Sequence, residues 1–368
     1  MGQHLSEPAT TKETSVISNS HFQCASSSMQ GWRINMEDAH TNILSMKEDK
    51  DAAFFAVFDG HGGSQAATYC GEHLHKCILE TEDYKLGDYV NALKKGFLQC
   101  DSEMQSDPRI ETSGAAAVCV LIKNKTIYCA NCGDSRAIAS VGGIAQELSH
   151  DHKPNDEEET KRIIAAGGWV EFNRVNGNLA LSRAMGDFVF KRNSTLSPEE
   201  QIVTAYPDVI VEEIALDHEF IILACDGIWD VMTRQEVVDF VRVRLANRES
   251  PERENKIKEE RTDVRGKKTG RKRIFRALRN SHNKKIVEKL LDHCLAPDCQ
   301  MGGIGCDNMT VILVCILNER SLDLLAEKCS RPPKVFALDS DQVFQIKKDN
   351  DSRDKEHVGD NVLTINEV

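Results

Sequence analysis

The tightest constraint on the fold is the stretch Phe54–Gly63, which reads FFAVFDGHGG. An apolar run of aromatic and β-branched residues stops abruptly at Asp59, Gly60, His61 and two further glycines. Such a run predicts a strand covered on both faces. The glycines predict a turn that lets the backbone approach a ligand closely. Asp59 and His61 are thereby held at a strand's end, where an acid can ligate a hard cation and an imidazole can move a proton near neutrality. The same residues also fit a solvated turn, with the aspartate chosen for its turn chemistry.

The rest of the chain repeats the device. Phe220–Ala224 is a second buried strand running into Cys225-Asp226-Gly227, and Met309–Ile316 is a third, preceded by Asp307-Asn308. Ser113–Ser140 alternates apolar and β-branched runs broken at Lys123-Asn124-Lys125, a hairpin pattern, with Gly133-Asp134-Ser135-Arg136 interrupting its second arm. Phe22–Met29 predicts a strand leading into Gln30-Gly31-Trp32-Arg33 and the acids Glu37 and Asp38. Helical spacing of apolar residues covers Ser64–Leu79, Asp88–Met104, Arg234–Ala246, Lys284–Leu295 and Ser321–Lys328. A further helix over Asp156–Ala166 is capped near Asn155, and Trp169–Leu181 predicts short strands turning at Asn176-Gly177.

Glu37, Asp38, Asp59, Asp134, Asp226 and Asp307 are thus six acids, three of them where an apolar strand begins or ends. Carboxylates converging there would repel one another and raise their own pKa values unless cations neutralise them. Oxygen ligands point to Mg²⁺ or Mn²⁺, and the absence of an interleaved His or Cys set argues against zinc or copper. Two such ions about 3.5 to 4 Å apart can lower the pKa of a bridging water and clamp an in-line displacement at phosphorus. Phosphoester hydrolysis suits that machinery.

With 368 residues, 40% hydrophobic and 28% charged, the chain can bury a large core. It has no apolar run approaching the roughly 18 residues of a membrane span and no secretory leader, so a cytoplasmic protein is expected. The 13 cysteines are scattered through apolar segments, and most are expected to be reduced core residues. Cys129 and Cys132 form a CxxC within a strand-like segment, which argues against redox chemistry. His293, Cys294, Cys299 and Cys306 match no usual zinc spacing.

The flanks and one insert are of different character. Residues 1–21 are polar and aperiodic, which predicts a flexible arm, and Met1-Gly2 with Ser6 fits an N-myristoylation pattern at Gly2. Residues 251–285 carry 14 Lys or Arg against five Asp or Glu in a chain of net charge −12. This basic insert reads as a solvated loop, a nuclear import signal, a docking site for acidic partners or a contact for an anionic membrane surface, the last giving a membrane-associated fraction together with an acyl chain at Gly2. After Leu317 come a short helix and, to residue 368, a disordered acidic tail.

The ordered motifs resemble those of the metal-dependent PP2C (PPM) family of protein serine/threonine phosphatases over residues 22–317. They are Gln30–Arg33 with Met36–His40, Phe58–Gly63, Asn131–Arg136, Asp151–Pro154, Leu181–Asp187, Cys225–Asp230 and Asp307–Thr310. The alpha and beta branch, whose N-terminal glycine is acylated, is the nearest likeness. The resemblance implies an α+β fold of two antiparallel β-sheets packed as a sandwich and flanked by helices on both sides. It implies a monomer hydrolysing phosphoserine and phosphothreonine in proteins through attack of a metal-bridging water, without a phosphoenzyme.

The resemblance also assigns residues. Asp59 would bridge two ions, Glu37 and the Gly60 carbonyl would complete one shell, and Asp226 with Asp307 would hold the other. Asp38 would act through metal-bound water. Arg33 would hold the phosphate and His61 would be the general acid. Asp134 with Asp226 would carry a weaker third ion, while Asn308 and Arg183 would support and pack. Ser113-Gly114-Ala115 departs from the family's usual Ser-Gly-Ser or Ser-Gly-Thr, which predicts a packing effect alone. Two rival readings remain open. One is a catalytically silent phosphoprotein-binding scaffold. The other is an anionic-surface binder working through the insert, against which count the acidic body and the near absence of aromatics among the insert's bases; specific nucleic-acid binding is not expected.

Overall fold

A computed structural model describes residues 4–110, 112–247, 271–299 and 303–334, with the backbone alone for 271–281. The chain opens with β1 (His4–Ser18), β2 (Phe22–Arg33), β3 (Ala39–Ile43) and β4 (Ala52–His61). Helices α1 (Gln65–Glu80), α2 (Glu82–Leu86) and α3 (Tyr89–Met104) follow, then β5 (Gly114–Lys123), β6 (Thr126–Cys132), β7 (Arg136–Val141) and β8 (Ile144–Glu147). A smaller region holds α4 (Glu157–Ala165) and the short strands β9 (Val170–Glu171), β10 (Arg174–Val175) and β11 (Met185–Gly186). The remainder is β12 (Asp208–Glu213), β13 (His218–Ala224), α5 (Asp226–Trp229), α6 (Arg234–Ala246), α7 (Arg271–Cys294), β14 (Met309–Ile316) and α8 (Leu322–Cys329).

Two antiparallel sheets form, one in the order β1-β2-β14-β13-β7-β8 and the other in the order β12-β6-β5-β4-β3, with β11 added beside β5. Alternation along β4 explains why its sequence is apolar without interruption. Phe54, Ala56 and Phe58 pack with Cys70, Leu74, Leu93 and Phe97 of α1 and α3. Ala53, Phe55 and Val57 face Ile221, Leu223, Ile312 and Val314 of the opposite sheet. The outer face of that sheet is covered in turn by Val237, Val241, Leu290 and Leu291 of α6 and α7. Antiparallel strands therefore acquire the two-sided burial more usual in parallel sheets, because each sheet lies between a sheet and helices. The expected α+β sandwich is the fold observed.

Several expectations need correction. Residues 4–18 are an edge strand and not a free arm. No β1 residue is fully buried, so an apolar period is missing, but an edge strand needs only a backbone ladder on one side. Hydroxyl pairs add to it, Thr14 with Ser27 and Ser15 with Ser26, each at 2.9 Å, and Lys12 meets Asp292 of α7 at 2.6 Å. Helix α7 starts at Arg271 and not at Lys284, so the basic segment's last part is helical. Helix α8 is no appendage, since Leu322, Leu325 and Cys329 are buried in the core beneath α6. The cap of α4 is Asp156, one residue after Asn155, followed by three glutamates that suit the positive end of the helix dipole. The chain turns at Phe172-Asn173 between β9 and β10, and again at Asn176-Gly177, all four in left-handed backbone.

Cys299 and Cys306 form a disulfide, which removes both from any zinc set, while the other 11 cysteines are buried and in no disulfide, Cys129 and Cys132 among them. Gly2, residues 251–270 and the tail from 335 lie outside the described residues. No helix among the described residues is long and apolar enough to cross a membrane.

Candidate metal centre and active site

Both sheets end at one cleft of about 560 Å³. Strand β4 brings Asp59, Gly60 and His61, the end of β2 brings Arg33, and the segment after it brings Glu37. Asp226 opens α5 directly beyond β13, Asp307 precedes β14, and Asp134 lies between β6 and β7. Carboxylate oxygens of Asp59, Asp134 and Asp226 lie within 4.8 Å of one another, as do donor atoms of Asp38, Asp59 and Cys225.

The acids are held by a dense set of hydrogen bonds. Asn308 accepts from the Glu37 amide at 2.9 Å and donates through Nδ2 to the carbonyls of Gln30 and Asn35 at 2.8 and 3.0 Å. It thus ties the Arg33–Asp38 segment to the start of β14. The Gly63 amide donates to Glu37 Oε2 at 3.2 Å, and Thr310 Oγ1 donates to Asp38 Oδ2 at 2.7 Å. Arg33 pairs with Asp307, and Lys153 pairs with Asp134. Trp32, beside Arg33, packs on the Cys299–Cys306 disulfide beside Asp307 and donates its Nε1 to Ala296 O at 3.0 Å.

Crowding shows in the protonation of these groups. Burial, reinforced by the Asp307 charge and opposed by hydrogen bonds from Thr310 and Cys225, pushes Asp38 up to about 7. Burial and then the charges of Asp226, Asp38, Asp134 and Asp307 raise Asp59 well above the carboxylate range. Asp226 is raised in the same way by burial, Asp134 and Asp307. Asp38 Oδ1 is buried without a hydrogen-bond partner. Like charges with an orphaned oxygen among them fit a hard divalent cation. The Cys225 thiol is no competitor for it. Burial and neighbouring acids raise its pKa well above the usual thiol value, and its sulfur accepts from the Thr310 amide at 3.1 Å.

A family model described as protein phosphatase 2C matches residues 22–270. The chain belongs to the protein phosphatase 2C family. A probable protein phosphatase 2C of Caenorhabditis elegans is 53% identical over 347 residues, covering 94% of this chain and 88% of that protein. Protein phosphatase 2C homolog 3 of Schizosaccharomyces pombe is 49% identical over 87% of this chain and 70% of its own length. Among solved structures, a phosphatase from Toxoplasma gondii superposes with a TM-score of 0.62 at 25% identity, covering 84% of this chain and 96% of that one. A Caenorhabditis elegans sex-determining protein shares the fold, with a TM-score of 0.64 at 23% identity over 86% and 69% of the two chains. This 2C-family protein phosphatase is a hydrolase that carries candidate acidic metal-binding residues.

Of the residues singled out from the sequence, Arg33, Glu37, Asp59, Gly60, His61, Asp134, Asp226, Asp307 and Asn308 line the one cleft. Asp38 lies behind it against Thr310. Arg183 is not among the lining residues; its guanidinium pairs with Glu159 at 2.7 Å and Asp208 at 2.8 Å, a packing position. Two acids escaped the sequence reading. Asp230 is raised by burial and by Asp134. Asp187 lies 2.6 Å from His61 Nε2. Both close motifs already picked out, Cys225–Asp230 and Leu181–Asp187, and an acid ending such a motif was the available signal.

Proposed function

We propose that this phosphatase hydrolyses phosphoserine and phosphothreonine in proteins with Mg²⁺ or Mn²⁺ as cofactor. Glu37, the Gly60 carbonyl, Asp59, Asp226 and Asp307 would hold two ions, Asp38 would assist through water, and Asp134 would contribute to a weaker third. When bound, such ions neutralise the carboxylates, lower the pKa of water and offset charge on phosphoryl oxygens. The convergence of Asp59 and Asp226 from opposite sheets on a cleft that also holds Arg33 and His61 carries this reading.

The chain's own groups do the rest. Arg33 offers a planar fork of donors matched to phosphoryl oxygens, and its side chain is 44% exposed, so substrate can reach it. Among the described residues lining the cleft there is no serine, threonine or cysteine, so transfer to a hydroxyl or thiol is disfavoured, and the reaction is read as direct attack of water on phosphorus. As the bond from phosphorus to the seryl or threonyl oxygen breaks, its electron pair passes to that oxygen and His61 supplies the proton. Burial alone would depress the imidazolium, but the hydrogen bond and charge of Asp187, with Asp134 and Glu37, raise its pKa overall. The charged ring is thereby stabilised relative to a free imidazole.

The test is phosphate release from a phosphothreonine peptide with Mn²⁺, Mg²⁺ or excess EDTA. Turnover that needs the cation is the expected result. Peptide binding without release would make the protein a phosphoprotein-binding scaffold, and undiminished turnover in EDTA would remove the metal mechanism.

A further inference from the structure

We propose that Asp187 is the positioning residue of the leaving-group acid, holding the His61 ring through Nε2 across the bare backbone of Gly114. The inference rests on the general-acid reading of His61 given above. His61 is the last residue of β4 and stands opposite Gly114, the first residue of β5. On the other side of Gly114, Gly186 of β11 is its register partner, and Asp187 follows. The two side chains meet over Gly114 at 2.6 Å. A Cβ there would overlap both Asp187 Oδ2 and His61 Nε2. Glycine at 114 is therefore what allows the pair to form.

The segment carrying Asp187 is built to hold still. Asp187 adopts a left-handed backbone at φ 51°, which aspartate tolerates better than most side chains. Its amide donates to Ser113 O at 3.0 Å and its carbonyl accepts from Phe190 N at 2.9 Å. The preceding Gly186 amide donates to Asp101 Oδ1 at 2.7 Å. Lys191 closes the loop from the far side, bonding Asp101 at 2.8 Å and Ala184 O at 2.8 Å. Asp187 itself is 6% exposed against 29% for His61, so the carboxylate is the buried anchor and the ring is the part that reaches the cleft.

A buried carboxylate bonded to one ring nitrogen fixes both the orientation and the tautomer of a catalytic imidazole. With the Nε2 proton held by Asp187, the proton transferred is the one on Nδ1. It goes to the departing seryl or threonyl oxygen as that oxygen takes the electron pair of the broken bond to phosphorus, and the ring is left neutral with its Nε2 hydrogen bond intact.

The experiment uses the full chain with Mn²⁺ and two substrates, a phosphothreonine peptide and p-nitrophenyl phosphate, whose acidic phenol scarcely needs a proton to leave. His61→Gln serves as reference, with an expected loss in kcat on the peptide of about 10² to 10⁴ and a much smaller loss on the aryl phosphate. Asp187→Asn, which keeps size and tolerance of left-handed backbone, is expected to lower kcat on the peptide by about tenfold or more while KM holds and the aryl phosphate rate stays close to wild type. Gly114→Ala, which leaves both partners in the chain but pushes them apart, is expected to give the same selective loss. The double variant His61→Gln with Asp187→Asn should lose no more than His61→Gln alone, since the carboxylate acts only through the ring.

Equal losses of Asp187→Asn on both substrates, or losses that multiply in the double variant, would overturn the proposal and leave Asp187 a folding residue. If His61→Gln shows the selective loss and Asp187→Asn does not, the positioning inference alone falls. If His61→Gln loses equally on both substrates, the general-acid reading falls and takes this inference with it.

Discussion

Replacing Asp38 by asparagine isolates the energetic cost of crowding acids in the cleft. The Asp38 carboxyl is buried and moves from its ordinary 3.8 to about 7. At about 1.36 kcal/mol per pH unit, that one group costs the metal-free folded protein about 4 kcal/mol. A carboxyl whose folded pKa lies above its unfolded value binds more protons in the folded state between the two. Metal-free stability should therefore fall as pH rises from about 4 to about 7, with the full penalty present above that. Asparagine is neutral throughout, keeps an oxygen for Thr310 and brings donors to the neighbourhood of the Asp59 carboxylate. Urea unfolding in EDTA should find Asp38→Asn within error of wild type near pH 4 and more stable by up to about 4 kcal/mol near pH 8. Added Mg²⁺ should narrow the gap at pH 8, because a ligand at a hundredfold excess over its Kd adds about 2.7 kcal/mol to the state that binds it. A variant no more stable than wild type in EDTA at pH 8, or a gap that ignores pH, would refute the crowding argument.

Asp59→Ala and Asp226→Ala should each bring turnover of a phosphothreonine peptide to background while circular dichroism and urea midpoints in EDTA match or exceed wild type, since a removed ligand also relieves repulsion. Arg33→Ala should lower kcat/KM on the peptide by about 10- to 100-fold, the worth of a charge-assisted hydrogen bond to phosphate; unchanged kinetics would detach Arg33 from the substrate. Gly60→Ala should destabilise the fold by about 1 to 3 kcal/mol in urea titrations, since a Cβ there would overlap the Glu37 carbonyl.

How far the sequence carried depends on what each element buries. Helix α6 and strand β14 occupy the spans read from their patterns, Arg234–Ala246 and Met309–Ile316, because both bury an apolar face that leaves a period. Strand β1 left none. Its ladder is a backbone property, and its Ser and Thr side chains pair with other hydroxyls at the sheet's edge. The acids that line the cleft were legible because a charge at the end of an apolar strand has no ordinary reason to be there. Asp187 was hidden, because its partner His61 lies 126 residues away and only the pairing of β4, β5 and β11 brings the two together. The Cys299–Cys306 bridge was hidden as well, in a chain whose other cysteines behave as small core residues.

The glycines that follow the acids carry a different lesson. In the sequence, Asp59-Gly60 and Asp226-Gly227 look like turns that expose backbone to a ligand. In the structure each glycine gives room to a carbonyl of another segment. A Cβ at Gly60 would overlap Glu37 O, and a Cβ at Gly227 would overlap Asn308 O. Those two carbonyls belong to residues that are themselves joined, since the Glu37 amide donates to the Asn308 side chain at 2.9 Å. The end of β4 therefore presses on Glu37 and the start of α5 presses on Asn308, and the hydrogen bond between Glu37 and Asn308 couples the two contacts across the sandwich. A side chain at either glycine would displace not only its own aspartate but, through that bond, the acid delivered by the other sheet. The carboxylates of this site are thus positioned as one unit, and a cation that neutralised them would join two sheets that the hydrophobic layer between them already holds in contact.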